Sequence, residues 1–345
     1  AQRVRKPARP WRLPQHVPES PRRADGLLTD RRTQHALRIR PTIPNYGKHP
    51  DPQRRRTRIL EHLNYRMNHS NKSTLIVNVY NQAKQLDLLL ESALKQTEQD
   101  FEIIVADDGS SDSTPEIVKQ WGDKLRIRHV WHEDRGFYRT IILNSAAKIA
   151  DSEYLIFVDG DMILHHRFIE MHLKHAHPQR VMCGWRGSKI KEALTQRLIE
   201  KKETFSTQTA SVLWRGIKGQ VIKPFRTTII ENPLLRKIMC KERHHVGGCN
   251  FAMHKKNYEL CNGMDESILQ YGYEDHEIGR RLNNNGIKAV GIRNCANTYH
   301  LEHGKSGNPG IKDVLKRIHA NDHKQCKSGL KQLEEGSTND MFFKK

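Results

Sequence analysis

Between Ser73 and Asp159 the chain repeats one pattern: a short run rich in β-branched residues, a stretch with apolar residues at helical spacing, then another short run. "STLIVNVY" (73–80) leads into "NQAKQLDLLLESALKQT", where Leu86, Leu89, Leu90, Ala93 and Leu94 recur at helix spacing. "FEIIVADD" (101–108) is followed by "SSDSTPEIVKQW", which offers Ser or Asp as N-cap and Pro115 in the first turn. "LRIRHVWH" (125–132), a helix near 138–150 and the strand "EYLIFVD" complete the series. Four strands alternating with three helices predict an α/β fold with a parallel, doubly wound sheet. Such sheets take their ligands at the C-terminal ends of the strands.

The rest of the chain reads differently. Residues 184–245 are a basic amphipathic insertion: "SKIKEALTQRLIEKKE" puts Ile190, Leu194 and Leu198 on one stripe, and "LWRGIKGQVIKPFRTTIIENPLLRKIM" is basic and apolar without a clean period. A surface of that kind either lies on an anionic membrane or packs on its own domain. From 246 to 313 a second ordered portion follows, with strand-like "VGGCNFAMH" and "IKAVGI" around helical "KKNYELC" and "EDHEIGRRLNNNG". Residues 314–345 read as a polar, helical tail.

The formal charge of +20 suggests a nucleic-acid binder until it is located. Residues 1–66 carry 17 Lys+Arg against 5 Asp+Glu, whereas 67–345 carry 42 against 34. The first 66 residues, rich in Arg and Pro, read as a disordered basic segment, an added leader or upstream sequence ahead of a start at Met67. The nucleotide-binding half then runs over 67–183. No apolar run approaches the roughly 20 residues of a bilayer span, and the basic N-terminus reaches no apolar signal core. Six cysteines without a CxxC pair argue against a zinc knuckle or a disulfide framework and for a cytoplasmic protein.

Four clusters carry the chemistry. "VADDGSSD" closes the second strand with Asp107 and Asp108, and a carboxylate there can accept a nucleobase N–H or a ribose hydroxyl. Such a turn is also ordinary turn chemistry, but Tyr80 at the end of the first strand adds an aromatic face for a base. "DGD", Asp159 and Asp161, can aim one carboxylate at a sugar hydroxyl and one at a hard divalent ion such as Mn²⁺ or Mg²⁺. "YGYEDHEIG" puts Glu274 and Asp275 at a helix N-terminus, where Asp275 could take a proton from an attacking hydroxyl or both residues could simply cap the helix. "YHLEH" gives His300 and His303 a spacing suited to a turn or loop that supplies one imidazole to a metal.

In this order the clusters resemble the GT-A glycosyltransferases of family 2. "GGCNFAMHKKNYELCNGMDESILQYGYEDHEIGRRL" is similar to the C-terminal half shared by β-1,4-galactosyltransferases and polypeptide N-acetylgalactosaminyltransferases. The resemblance spans roughly residues 73–305 and implies a Rossmann-like, mostly parallel central sheet flanked by helices. It implies that Tyr80 and Asp108 hold the base of a nucleotide sugar with Asp107 supporting them, that Asp159 approaches the ribose or sugar, and that Asp161 binds the metal with His303, His300 being its neighbour. It makes Asp275 the catalytic base, gives Glu274 a sugar contact, and puts Tyr271 where the galactosyltransferases have an aromatic platform. The sequence departs at Leu143, where many members carry arginine; Arg139, a turn earlier, is then assigned to the donor phosphates.

The expectation is a metal-dependent, inverting hexosyltransferase that moves a sugar from a nucleotide-diphosphate sugar, chiefly a UDP-sugar, to a glycan or lipid-linked glycan in surface polysaccharide synthesis. It acts in the cytoplasm or peripherally on the inner face of the plasma membrane, in contact with anionic lipid and with no specific nucleic acid. The alternatives are a sugar-phosphate nucleotidyltransferase, for which "VNVYNQAK" lacks a Gly-rich triphosphate loop, and a basic nucleic-acid or membrane-surface binding protein.

Overall fold

The computed structural model describes residues 72–243, 245–303, 318, 320 and 322–333. In chain order its strands are β1 (Ser73–Val79), β2 (Phe101–Asp107), β3 (Ile127–Trp131), β4 (Tyr154–Asp159), β5 (Met162–Leu164), β6 (Arg180–Cys183), β7 (Trp185–Ile190), β8 (Val221–Ile222), β9 (Glu242–Arg243), β10 (Asn250–His254), β11 (Lys288–Gly291) and β12 (Asn297–Leu301). The helices are α1 (Ala83–Leu94), α2 (Thr114–Trp121), α3 (Arg139–Ile149), α4 (Phe168–Lys174), α5 (Glu192–Ile199), α6 (Thr209–Ile217), α7 (Pro233–Met239), α8 (Lys255–Leu260) and α9 (Glu274–Asn284), with a 3-10 turn at Pro224–Thr227.

Eight strands form the central sheet in the order β3-β2-β1-β4-β10-β6-β11-β9. The four expected strands pair in parallel, β1 running beside both β2 and β4. Their side chains alternate between two faces, as the period of a strand requires. Leu75, Val77, Ile103, Val105, Ile156 and Val158 pack on one side with α1 and α2, while Ile76, Ile104, Ala106, Leu155 and Phe157 pack on the other with α3 and α9. Both faces are covered, so these strands read as nearly continuous apolar runs.

Beyond β4 the sheet departs from simple winding. β10 enters antiparallel between β4 and β6, and β9 closes the far edge antiparallel to β11. A second sheet, β5-β12-β7-β8, stands beside the first. The segment "TYHLEH", read as turn or loop, instead contributes β12, which pairs antiparallel with β5 and parallel with β7. In this smaller sheet, Ile190, Leu194, Leu198 and Val221 pack with Tyr299 and Leu301. The stripe Ile190, Leu194 and Leu198 therefore faces its own core.

Residues 1–66, the expected basic segment, lie outside the described residues. Of the tail read as helix, 318 and 320 are helical, but residues 322–333 run as turns. They are held by side-chain amides instead of a helical ladder: Asn285 donates to the Lys324 carbonyl at 2.7 Å and Asn262 to the Cys326 carbonyl at 3.1 Å. Among the described residues no helix is long and apolar enough to cross a membrane.

Candidate active site

A cavity of about 950 Å³ opens at the C-terminal ends of β1, β2 and β4 and extends to β7 and β12. The glycine of "DGD" explains how two carboxylates reach it. The Gly160 N–H donates to the Asn78 carbonyl at 2.8 Å, and a Cβ at Gly160 would stand 2.5 Å from Val79 Cγ1. Only a residue without a side chain lets the chain turn this close to β1, and the turn puts Asp159 and Asp161 on the cavity wall.

On the nucleotide side, Tyr80 is 47% exposed and Asp108 is buried, and both line the cavity. The Tyr80 hydroxyl donates to Asp134 Oδ2 at 2.9 Å, which fixes the ring. The tight turn holds because Gly109 has φ +88°, a left-handed conformation, and a Cβ there would meet Asp134 Cα at 2.6 Å. Asp108 Oδ1 lies 3.1 Å from His132 Nε2. Burial raises the Asp108 carboxyl above its usual range, only partly opposed by His132; burial lowers the His132 imidazole, but Asp108 and the Glu133 carbonyl outweigh it and leave it raised. Asp107 turns away from the cavity: it is fully buried, 2.9 Å from His129 Nε2, and accepts the Ser110 N–H at 2.8 Å. Its support of the pocket is thus structural, through the turn.

On the other side, Asp161 Oδ2 lies 2.7 Å from His303 Nε2 and 3.1 Å from His300 Nε2. Burial alone would raise the Asp161 carboxyl, but the two imidazoles hold it well below the usual carboxylate range. One ligand atom from each of Asp161, His300 and His303 lies within 4.8 Å of the others, a spacing able to hold an ion. The fit is supported by Asp161 Oδ1, which is buried without a hydrogen-bond partner. Sequence reading put one histidine there; β12 and the residues after it bring both.

Arg139 joins the two acidic motifs. Its guanidinium is buried, donates to Asp159 Oδ1 at 2.6 Å and to the Gly248 carbonyl at 3.3 Å, and lies 3.5 Å from Glu274 Oε1. Arg139 also lines the cavity, so it ties the two acidic motifs together at the wall where the donor phosphates are expected. Burial is the largest influence on Asp159 and raises its carboxyl, with Arg139 opposing. Leu143 is buried in the core.

Glu274 and Asp275 are beside this network but do not line the cavity. Glu274 Oε2 accepts the N–H groups of Gly272 at 3.0 Å and Tyr273 at 2.9 Å, so it braces the turn that leads into its own helix. Asp275 Oδ2 accepts the Gly248 N–H at 2.9 Å, and Oδ1 accepts the His276 N–H at 2.8 Å. Tyr271 lines the cavity, 47% exposed, with its ring edge-on to Phe137 at 6.1 Å.

Sequence reasoning missed the wall contributed by β7 and the segment after β8. Trp185 lies between the guanidinium groups of Arg226 at 4.5 Å and Arg293 at 4.3 Å. Arg186, Lys189 and Lys223 line the same cavity as Asp159 and Asp161 and add positive charge, Lys189 being paired with Glu302 at 2.5 Å. Asn78, which pairs with Asp159 across β1 and β4, has a buried side-chain carbonyl with no partner and faces the same space. The signal for Asn78 was a polar residue inside an otherwise apolar strand.

The family model described as glycosyl transferase family 2 matches residues 74–259, and one described as N-terminal domain of galactosyltransferase matches residues 237–304. Validoxylamine A glucosyltransferase of Streptomyces hygroscopicus subsp. jinggangensis (strain 5008) is 27% identical over 224 residues, 62% of this chain and 52% of that protein. Chondroitin synthase of Escherichia coli is 28% identical over 251 residues, 66% of this chain and 34% of that protein. Hyaluronan synthase of Pasteurella multocida is 33% identical over 219 residues, covering 61% and 22%. The chain thus spans about half or less of these curated relatives. Among solved structures, S. aureus TarS 1-349 in complex with UDP-GlcNAc aligns with a TM-score of 0.49 and 21% identity, over 72% of this chain and 65% of that one.

Proposed function

The chain belongs to glycosyl transferase family 2, and from that premise we propose that it moves a sugar from a nucleoside-diphosphate sugar to a hydroxyl of a glycan or lipid-linked glycan, inverting the anomeric centre. We take the donor to be a UDP-sugar, following the resemblance carried by the sequence, and the pathway to be surface polysaccharide synthesis. One observation carries the reading: Tyr80 and Asp108 at one end and Asp159 and Asp161 at the other share a single cavity at the ligand edge of a parallel sheet. Membership of the family favours this reading over a sugar-phosphate nucleotidyltransferase and over a basic nucleic-acid or membrane-surface binding protein.

In this reading the base of the nucleotide stacks on Tyr80, and Asp108 accepts its N–H. Arg186 and Arg139 face the diphosphate, with Lys189 held beside them by Glu302 at 2.5 Å, and Asp159, steadied by Arg139, contacts the ribose or the sugar. Asp161, His300 and His303 hold a divalent ion, which when bound supplies Lewis-acid charge to the diphosphate. One carboxylate with two imidazoles suits Mg²⁺ poorly, since that ion favours oxygen ligands, so Mn²⁺ is the preferred choice.

Asp275 is the base. It takes the acceptor proton as the acceptor oxygen forms its bond to the anomeric carbon and the bond from that carbon to the diphosphate oxygen breaks. The Gly248 peptide supports this role, because its N–H binds Asp275 and its carbonyl binds Arg139, linking the base to Asp159 through three hydrogen bonds. Glu274 and Tyr271 would meet the sugars on that side.

A panel of UDP-sugars with Mn²⁺, read by release of free UDP, tests the reading and identifies the donor. Asp275→Asn should lower transfer by roughly a hundredfold or more while donor binding stays intact; full activity would remove Asp275 from the mechanism. Asp161→Asn should abolish Mn²⁺ binding measured by calorimetry, and unchanged binding would dissolve the proposed ligand set.

A further inference from the structure

Of the twelve large hydrophobic side chains that stand exposed among the described residues, seven fall between positions 214 and 238: Trp214, Ile217, Ile222, Phe225, Leu234, Leu235 and Ile238. Two helices carry five of these seven, and each of them buries an arginine. In α7, Leu234, Leu235 and Ile238 share one face and are 73%, 47% and 64% exposed, while the one buried residue is Arg236. Arg236 donates to the Arg293 carbonyl and, at 2.7 Å, to Cys240 Sγ. In α6, Trp214 and Ile217 are exposed while Val212 reaches the core, and Arg215 is buried beside it and donates to Glu203 Oε1 at 2.8 Å and to the Thr204 carbonyl at 2.8 Å. A helix that directs arginine inward and leucine outward has its apolar face meant for something other than its own core.

The two helices form one surface. A Cβ at Gly216 would meet Pro224 Cγ at 2.4 Å, so α6 lies directly on the 3-10 turn at Pro224–Thr227. The Asn294 amide donates to the carbonyls of Phe225 at 3.0 Å and Thr228 at 2.9 Å, while Arg236 reaches the adjacent Arg293 carbonyl. The turn at 293–294 thereby ties the 3-10 turn to α7.

Charge selects the occupant. Residues 209–241 hold seven Lys and Arg and a single acid, Glu231, which is paired with Arg167 at 2.9 Å and Lys174 at 2.5 Å. Lys218, Lys223, Lys237 and Lys241 are exposed among the apolar side chains, with the Lys218 ammonium 3.4 Å from the centre of the Trp214 ring. A second copy of this face would meet like charge, and so would residues 1–66 with 17 basic against 5 acidic residues. Interleaved lysines with Trp, Phe, Leu and Ile are the composition that lies in the headgroup region of an anionic bilayer. We propose that the surface of α6, the 3-10 turn and α7 docks this protein on an anionic lipid membrane. Ile222, Lys223 and Arg226 line the cavity as well, so the docking face borders the site. The proposal is independent of the sugar-transfer reading.

The test is co-sedimentation of the full chain with vesicles of phosphatidylcholine alone or of phosphatidylcholine and phosphatidylglycerol in equal parts. Binding is expected to the anionic vesicles, weakened by salt at roughly 0.5 M, and at least about tenfold weaker for the triple variant Leu234→Ser, Leu235→Ser, Ile238→Ser. Absence of binding by the full chain overturns the proposal. So does unchanged binding by the triple variant, which would assign the lipid contact to the basic N-terminal residues. Circular dichroism and donor hydrolysis check that the variant is folded; if it is not, Lys218→Glu with Lys237→Glu carries the same test, with the same tenfold loss expected and unchanged binding overturning it.

Discussion

In residues 73–183, Leu75, Val77, Leu86, Leu89 and Phe157 are buried and Arg126 is exposed; in residues 184–245, Arg215 and Arg236 are buried and Trp214, Ile217 and Leu234 are exposed. The first region is held by removing apolar area from water. The second is held by a small apolar core of its own, with Ile190, Leu194, Leu198, Val212 and Val221 buried, and also at its arginines by hydrogen bonds to carbonyls and a carboxylate, which leaves large apolar side chains of 214–238 on the surface. The difference teaches that a region can add buried arginines to a small apolar core and so keep large apolar side chains on its surface. It also makes the role of a surface leucine there a question of binding, not of folding.

The sharpest way to break this contrast is to delete a large side chain on each side of it. Phe157→Ala, which empties a ring stacked on Phe251 at 4.5 Å and Tyr258 at 5.4 Å, should cost about 3–5 kcal/mol in urea unfolding. Arg215→Met should cost about 3 kcal/mol, because the Thr204 carbonyl and Gln220 lose their donor. If Arg215→Met were neutral, the apolar core of the second region would suffice to hold it.

Acid sharpens the contrast further, since arginine keeps its charge at low pH and buried histidine does not keep its neutrality. His172 is fully buried, and its ring contact with Asn250 Oδ1 is 2.9 Å. Burial depresses its imidazole to about 4, with Asn250 opposing. The unfolded chain takes that proton near 6.5, so the stability is complete above pH 6.5 and is lost as pH falls from there to about 4. The loss is roughly 3 kcal/mol. His172→Gln, which keeps a donor and cannot titrate in this range, should flatten the unfolding midpoint between pH 7 and 4; an unchanged slope would move the effect to another histidine. Smallest of all, Leu235→Ser should change stability by less than about 0.5 kcal/mol, and a larger loss would mean that α7 is covered in the folded protein.

The same contrast explains what could be read from the sequence. The first four strands were legible because each apolar residue there is buried on one of two faces, so period and burial agree. Asp159 and Asp161 were legible because they end such a strand. Trp185, Arg186 and Lys189 were not: they come from β7, whose place depends on pairing with β12 more than a hundred residues later, and no local spacing encodes it. His132 was hidden for a similar reason, being one polar residue at a strand end whose partner Asp108 belongs to another strand. Arg139 was noticed for its type, but its engagement by Asp159 and Glu274 required knowing that α3 and α9 flank the same edge.

Asp161 and His303 are 142 positions apart in the chain, and the Leu301 N–H donates to the Asp161 carbonyl at 3.0 Å, joining the two ends of that span through the backbone. A ligand that binds this triad selects the state in which the last described strand has already joined the smaller sheet, and by mass action it stabilises the whole intervening span. Loading of the site would therefore be a reporter of chain completion: a nascent or truncated chain that stops short of β12 would possess the "DGD" turn and the nucleotide side, yet lack two of the three side chains needed to hold an ion.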